Sequence, residues 1–309
     1  MQIVVRSAAE SAFLVALSAL FWGISGGIGA VLVAEGWSPL IVALYRGAVG
    51  LLFVSAWLLI DRRDHGLRNP ALWFWSALAG LGIAGNFTFY FLSVAESSVA
   101  IAATLMYCAP VFVYLVSFAI GLESFSWPKL CAMAVILFGV VLITGVHDVD
   151  SGRVTGYGLA AGLLAGVSYA VFIFGFKFAA PHGSAQSILV IAFSALVIVL
   201  LSLSEWGQVQ AVPTSSSRLL FIVLGVLGAG VSFVMYVVGL RNAAPAVAAV
   251  VAMIEPVTAA LFAAAALGER LTATEIFGMA VVLVTVTSLS VASGQRSHAT
   301  SKHFGRRRH

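Results

Sequence analysis

Charge is scarce in this sequence. Asp, Glu, Lys and Arg make up 9% of the 309 residues, while hydrophobic residues make up 61%. A soluble domain carries about 25% charged residues and needs them to cover its surface. A chain this poor in charge has lipid as its natural solvent, and the mean hydropathy of +1.07 agrees. Cysteine is nearly absent too. Cys108 and Cys131 lie inside apolar runs, without metal-ligand spacing or a histidine cluster nearby, and read as two buried thiols. The histidines, at His65, His147, His182, His298, His303 and His309, are dispersed through loops and tail, which leaves no metal set and no triad. A phosphate-binding Gly-x-x-x-x-Gly-Lys loop is also missing, so ATP does not drive the protein directly. These gaps predict no cofactor and no enzyme. The apolar runs lack the strict alternation of a membrane strand, which excludes a β-barrel.

What remains is a series of continuous apolar runs. One helical crossing needs roughly 20 residues at about 1.5 Å each. The runs place spans at 11–33, 39–60, 72–93, 98–120, 127–145, 154–176, 185–203, 219–240, 246–267 and 273–292. The expected fold is therefore an all-α polytopic membrane protein with ten transmembrane helices. The third and fourth spans join through a tight turn at 94–97, and the longest loop, 204–217, holds Pro213 and a Thr-Ser-Ser-Ser run. The first run is too long for a typical signal-peptide core and is followed by more spans.

The net charge of +4 and pI near 9.3 invite a nucleic-acid reading, but the distribution opposes it. With the N-terminus inside, Arg6, Arg62, Arg63, Arg68, Lys129, Lys177, Arg241, Arg296, Lys302 and Arg306 to Arg308 are cytoplasmic. Only Arg153, Arg218 and Arg270 lie outside. This bias predicts that both termini are cytoplasmic, with Lys177 and Arg241 as ordinary anchors. Trp37, Trp73, Trp75, Trp127 and Trp206 fall near span ends, as an aromatic belt requires.

The chain also repeats itself. A shift of 146 residues brings Tyr90 onto Tyr236, Ala100 onto Ala246, Pro110 onto Pro256, Glu123 onto Glu269 and Met133 onto Met279; Gly82 and Phe87 fall on Gly228 and Phe233. Leu17 and Trp22 fall near Leu164 and Tyr169 at a shift of 147. Each copy holds five spans, and an odd number of crossings inverts the second copy relative to the first. The units expected are residues 1–147 and 148–295 as two inverted five-helix repeats, followed by a basic tail, 296–309. Inverted repeats let one set of contacts build both an inward-open and an outward-open state.

Five plus five spans, Glu255-Pro256 in the ninth and the following Leu267-Gly268-Glu269-Arg270-Leu271 resemble the drug/metabolite transporter superfamily in its EamA-type branch. The first half carries a degenerate copy in Ala109-Pro110 and Gly121-Leu122-Glu123-Ser124-Phe125. Within the branch the chain is most similar to bacterial exporters of aromatic and neutral amino acids. The resemblance implies alternating access of two five-helix halves around a central cavity, lined mainly by spans 1, 3, 4, 6, 8 and 9. It also implies a bacterial inner membrane as the location. The partners expected are a small-molecule substrate and the lipid bilayer, without nucleic acid, in a monomer.

Intramembrane polar groups point to the site, because burying them unpaired costs several kcal/mol. Trp22 sits mid-span rather than at the interface, with Ser18, Ser25 and Gly26 on its face. Asn86 and Tyr90 lie one turn apart in the third span, and Ser232 and Tyr236 hold the equivalent places in the eighth. Tyr107 and Tyr169 lie near the middle of the fourth and sixth. Each of these residues is either a cavity wall for a neutral or aromatic solute or a brace to a neighbouring helix. Pro110 and Pro256 are expected to kink their spans, flaring or gating the cavity. Gly23 with Gly27, and Gly162 with Gly166, form Gly-x-x-x-Gly pairs that mark close helix packing. Glu255 and Arg46 are the clearly intramembrane charges. Glu255 is a candidate proton carrier or partner for a substrate ammonium. Arg46, about 12 Å from its span's outer end at 1.5 Å per residue, snorkels outward, pairs with Glu255 or Glu35, or meets a substrate carboxylate. Glu123 and Glu269 cap or brace their loops.

These features predict a secondary transporter exporting amino acids or similar small metabolites. The alternatives are a multidrug or other metabolite carrier of the same fold and, in a different class, a channel or an intramembrane enzyme.

Overall fold

A computed structural model describes residues 8–61, 65–145, 155–266, 268 and 270–288. Among these residues every regular element is a helix and no strand occurs. The first three crossings are α1 (Ala8–Ala34), α2 (Pro39–Ile60) and α3 (Pro70–Glu96). The fourth is divided into α4 (Val99–Met106) and α5 (Ala109–Ala119), and α6 (Trp127–Thr144) completes the first half. The second half opens with α7 (Gly156–Ala179) and α8 (Ala185–Leu203), followed by a short α9 (Trp206–Ala211). Its next crossing runs through α10 (Arg218–Gly225), a π-helical segment (Val226–Val231) and α11 (Ser232–Leu240). The crossing after that is divided into α12 (Pro245–Val251) and α13 (Ile254–Ala266). Nine of these crossings are long and apolar enough to span a bilayer among the described residues, and a shorter apolar helix, α14 (Ala273–Ser288), follows. Of the expected tenth span, residues 289–292 lie outside the described residues, as does Glu269.

Local sequence sets these boundaries. Pro at the first positions opens α2, α3, α6 and α12, where its missing N–H costs nothing. Asn69, Ser98, Thr155 and Ser184 cap α3, α4, α7 and α8 with side-chain oxygens that accept from Ala71, Ile101, Gly158 and Ser187 N–H. Gly145, at φ 64°, closes α6 in the left-handed conformation that favours glycine. Two details differ from the sequence expectation. The helix α3 runs on to Glu96, so the turn to α4 is only Ser97 and Ser98. The loop 204–217 is not irregular throughout: Glu205 leads into α9 and Pro213 sits in a 3₁₀ turn, Val212–Thr214.

The halves interlock. The helix α3 packs most extensively on α7 and also on α8, while α1 packs on α13 and α11. Each principal contact thus joins an element of one half to an element of the other. Outward faces are apolar, with Leu59 83% and Leu52 70% exposed, a surface that only lipid solvates without penalty. Cys131, expected to be buried, is on that outer face, and Cys108 is half-buried with its thiol near the Thr104 carbonyl. The expectation fails because a lipid-facing position accepts a thiol as readily as a core does. Trp73, Trp127 and Trp206 are exposed at helix ends, as the belt requires, whereas Trp75 packs on Phe178 and Trp37 on Phe221.

The polar ends are tied across the halves as well. Glu123, beside α6, pairs with Lys129 and accepts from Ala246 N–H (3.2 Å) in the first turn of α12. It therefore braces the opposite half rather than only its own loop. Lys177 and Arg241 are not free anchors. The Lys177 ammonium donates to the carbonyls of Leu240 (3.0 Å), Arg241 (2.9 Å) and Ala243 (2.7 Å), and Arg241 Nη2 donates to Gly183 O (2.7 Å). A helix C-terminus leaves carbonyls without partners, and a cation there satisfies them. Replacing Lys177→Met is expected to lower the stability of the detergent-solubilised protein by about 1–3 kcal/mol. A thermal melt compared with Lys177→Arg checks this; equal melting of all three proteins would show that the cap contributes nothing.

Candidate functional site

The site is built around two broken helices at matching positions. α4 and α12 begin at Val99 and Pro245, and their crossings carry Pro110 and Pro256, each pair 146 positions apart. The expected kinks are two-residue interruptions of the helix. At Tyr107 and Cys108 the chain switches to three-residue turns, Cys108 N–H to Leu105 O (3.1 Å) and Val111 N–H to Cys108 O (2.9 Å). The second half repeats this with Met253 N–H to Val250 O (3.0 Å) and Glu255 N–H to Ala252 O (2.9 Å). Proline cannot donate the helical bond at either place. Broken helices inside a membrane protein are tolerated where other elements or a cavity satisfy their backbone, and binding sites form there.

Glycines bring the first helix of each half against the broken helix of the other. A Cβ built on Gly23 of α1 would lie 2.7 Å from Glu255 O, and one on Gly166 of α7 would lie 3.1 Å from Leu105 O and 3.2 Å from Met106 O. A second pair of contacts repeats the pattern. Gly228 meets Ser25, and Gly82 meets Phe172, which stands 147 positions after Ser25. The internal repeat is thus visible in contacts as well as in letters.

An aromatic cluster fills the centre. Trp22 is 3% exposed and its ring lies 4.9 Å from Tyr236, 5.0 Å from Phe233 and 6.4 Å from Phe172, centroid to centroid. Phe172 in turn lies 4.4 Å from Tyr169 and 6.1 Å from Tyr236. Four polar atoms here are buried without a hydrogen-bond partner among the described residues: Trp22 Nε1, Tyr169 OH, Tyr236 OH and Ser232 Oγ. Unpaired polar atoms are costly; Ser76, Thr88, Ser93 and Ser117 carry others among the described residues, but three of the cluster's four belong to touching rings and Ser232 is one turn before Tyr236, which makes this the candidate place where something polar is met. Ser18 and Ser25 do not join them, because each hydroxyl donates to its own helix, at Val15 O (2.7 Å) and Trp22 O (2.9 Å).

The charged part adjoins the cluster. Arg46 of α2 donates from Nε to Gly228 O (2.9 Å), a carbonyl presented by the π-helical segment, and its guanidinium carbon lies 5.6 Å from the centre of the Phe87 ring. The outward snorkel and the Glu35 pair are not formed; Glu35 instead accepts from Ser217 (2.5 Å). Arg46 interacts through space with Glu255, Tyr107 and Tyr169, and Glu255 interacts with Tyr90 as well. Arg46, Tyr90 and Glu255 are half-buried. Asn86 stands apart in role: its Nδ2 donates to Ala165 O (2.9 Å), bracing α3 on α7.

All-helical crossings, paired breaks and a repeated contact pattern define a two-repeat membrane fold, and comparison with known proteins gives its family. Residues 10–145 and 156–291 each match the EamA-like transporter family. The chain belongs to the EamA-like transporter family. This EamA-like chain is 29% identical to an uncharacterized transporter of Archaeoglobus fulgidus over 81% of its own length and 86% of the relative's. It is 25% identical to the uncharacterized inner membrane transporter YedA of Escherichia coli strain K12, over 83% of each chain. It is 22% identical to the uncharacterized transporter YwfM of Bacillus subtilis, over 94% of its own length and 97% of the relative's. A solved crystal structure at 17% identity superposes with a TM-score of 0.72, covering 93% of this chain and 98% of that one, a likeness of fold alone. The EamA-like chain is therefore a multi-pass membrane transporter.

The expected site residues come together in part. Trp22, Tyr169, Ser232 and Tyr236 share the aromatic cluster, while Tyr90, Tyr107, Arg46 and Glu255 share the charged region. Phe172 and Phe233 were not expected, although their signal was available. Phe172 is one turn from Tyr169, and Phe233 is the repeat partner of Phe87. In the sequence Gly228 stands out only as a repeat match, since its role depends on a carbonyl.

Proposed function

We propose that this protein is a secondary transporter that exports aromatic or neutral amino acids, or similar small metabolites, across the bacterial inner membrane by alternating access. In this reading ten crossings form two inverted five-helix repeats, residues 1–147 and 148–295, the basic tail 296–309 and the N-terminus are cytoplasmic, and the monomer is the working unit. One observation carries the proposal: the breaks at Tyr107–Cys108 and Ala252–Met253 stand within one residue of repeat-equivalent positions, beside an aromatic cluster with unpaired polar atoms. A wall of Trp22, Phe172, Phe233 and Tyr236 suits a flat, neutral side chain better than a strongly charged solute. Glu255 is the coupling group, since a single carboxylate inside a bilayer is poised to take up and release a proton.

Counterflow in proteoliposomes tests this. Vesicles preloaded with unlabelled phenylalanine are expected to accumulate labelled phenylalanine transiently and saturably, and an imposed pH gradient is expected to change net movement in the natural protein but not in Glu255→Gln. A pH response that survives in Glu255→Gln would remove Glu255 from coupling. Linear flux without counterflow would replace the carrier with a channel. Counterflow of cationic drugs but of no amino acid would keep the carrier and change its cargo.

A further inference from the structure

We infer that Arg46 anchors the carboxylate of a zwitterionic solute whose ammonium faces Glu255, so that the site selects solutes carrying both charges. The inference rests on the carrier reading above and deepens it. Two sides of the guanidinium are occupied: Nε by Gly228 O at 2.9 Å and one face by the Phe87 ring, 5.6 Å from the guanidinium carbon. Among the described residues no carboxylate stands within 4.0 Å of it. The edge left is the pair of Nη groups, and this fork matches a carboxylate in two parallel hydrogen bonds. The stacking ring and the carbonyl fix the plane of the fork, which makes this a held donor rather than a free side chain.

Glu255 provides the counterpart. It stands just after the break in its crossing, half-buried, and forms no direct pair with Arg46 among the described residues. One turn of α1 touches the supports of both groups: Gly23 faces Glu255 O and Ser25 faces Gly228. Two opposite charges kept apart inside a bilayer forgo their mutual attraction, which a direct pair would use to offset desolvation. An α-amino acid carries an ammonium and a carboxylate on one carbon and bridges such a gap, presenting each to its opposite. With Glu255 ionised, the two opposite charges also discriminate. A free amine meets Arg46 unscreened, and a dianion meets Glu255, whereas a zwitterion satisfies both. The neighbouring Trp22, Phe172 and Phe233 rings then receive the side chain.

The test is competition against labelled phenylalanine bound to the purified full-length protein in detergent, with three unlabelled competitors: phenylalanine, phenethylamine and 3-phenylpropionate. The two analogues lack the carboxylate and the ammonium respectively. In the natural protein both are expected to compete on the order of tenfold to a hundredfold more weakly than phenylalanine, the loss of one charge-assisted contact. In Arg46→Gln the affinity for phenylalanine is expected to fall to near that for phenethylamine, while phenethylamine itself binds no more weakly; a purely structural role would weaken both alike. The natural-protein series decides the matter even where the variant fails to fold. Phenethylamine competing as well as phenylalanine would overturn the carboxylate anchor and leave the carrier reading standing. Absence of any phenylalanine binding would overturn the zwitterion site, and counterflow of other solutes would then show independently whether the carrier reading survives.

Discussion

Trp22→Ala is expected to abolish saturable counterflow and to lower thermal stability together. Its indole is 3% exposed and touches Tyr236, Phe233 and Phe172, so truncation opens a cavity at the point where α1, α7 and α11 meet. Large-to-small changes of a buried aromatic cost about 3–5 kcal/mol. The stability loss alone does not prove a binding role, so two companions separate the effects. Trp22→Phe keeps a ring and deletes Nε1, which is buried without a partner among the described residues; it is expected to recover most of the stability but less of the solute affinity. Tyr90→Ala removes a half-buried side chain of α3 and is expected to impair transport with little change in the melting temperature. Counterflow unchanged in Trp22→Ala, with an unchanged half-saturation, would remove Trp22 from the path of the solute.

The crossings were legible because their signal is additive: each needs about 20 apolar residues, and 39–60 and 185–203 agree with α2 and α8 at both ends. Where ends moved, a cap or a proline decided, as at Pro70, which starts α3 two residues before the apolar run at 72. The internal repeat was legible because Pro110 and Pro256, or Gly82 and Gly228, hold their places without a gap. The breaks were only half legible. Proline announces a lost hydrogen bond, but whether the helix bends or parts depends on what receives the free carbonyls. Here Leu105 O is taken by Cys108 N–H in a tighter turn, and the missing Cβ of Gly166 leaves room for α7 to lie close to Leu105 O and Met106 O.

The site was legible as residue types and obscure as partners. Asn86 and Tyr90 look alike on a helical wheel, yet Asn86 is used up by Ala165 O while Tyr90 stays half-buried. Arg46 had several conceivable partners and took a backbone carbonyl, which no side-chain pattern advertises. That carbonyl is offered by the π-helical segment around Gly228, a local widening of α10–α11 that leaves no mark in hydropathy. Lys177 and Arg241 read as anchors for the same reason: cations near span ends are counted by sign, and only coordinates reveal that Lys177 closes the end of α11 while Arg241 holds Gly183 O in the connection before α8.

Substitution of three glycines in one turn of α1 is expected to give three separate outcomes, and the order tests how the halves are joined. Gly23→Ala places a Cβ 2.7 Å from both Glu255 O and Thr258 Cβ. Backbone and a branched side chain yield poorly, so α1 and α13 must move apart, at about 1–3 kcal/mol. The displaced carbonyl belongs to Glu255 itself, so transport is expected to fail along with stability. At Gly27 the three atoms nearest the added Cβ all belong to the Phe262 ring, which can turn where a backbone carbonyl cannot, and Gly27→Ala is expected to be milder. Gly26 is exposed with nothing within 4 Å. There the change gains helix propensity of about 0.5–1 kcal/mol, and Gly26→Ala is expected to melt no lower than the natural protein. Thermal melts in detergent read the order, and counterflow reads its consequence. Equal stability of all three variants would mean that α1 and α13 are not in close contact in the membrane. Loss of transport in Gly26→Ala at full stability would instead place Gly26, one turn beyond Trp22, on the solute's path.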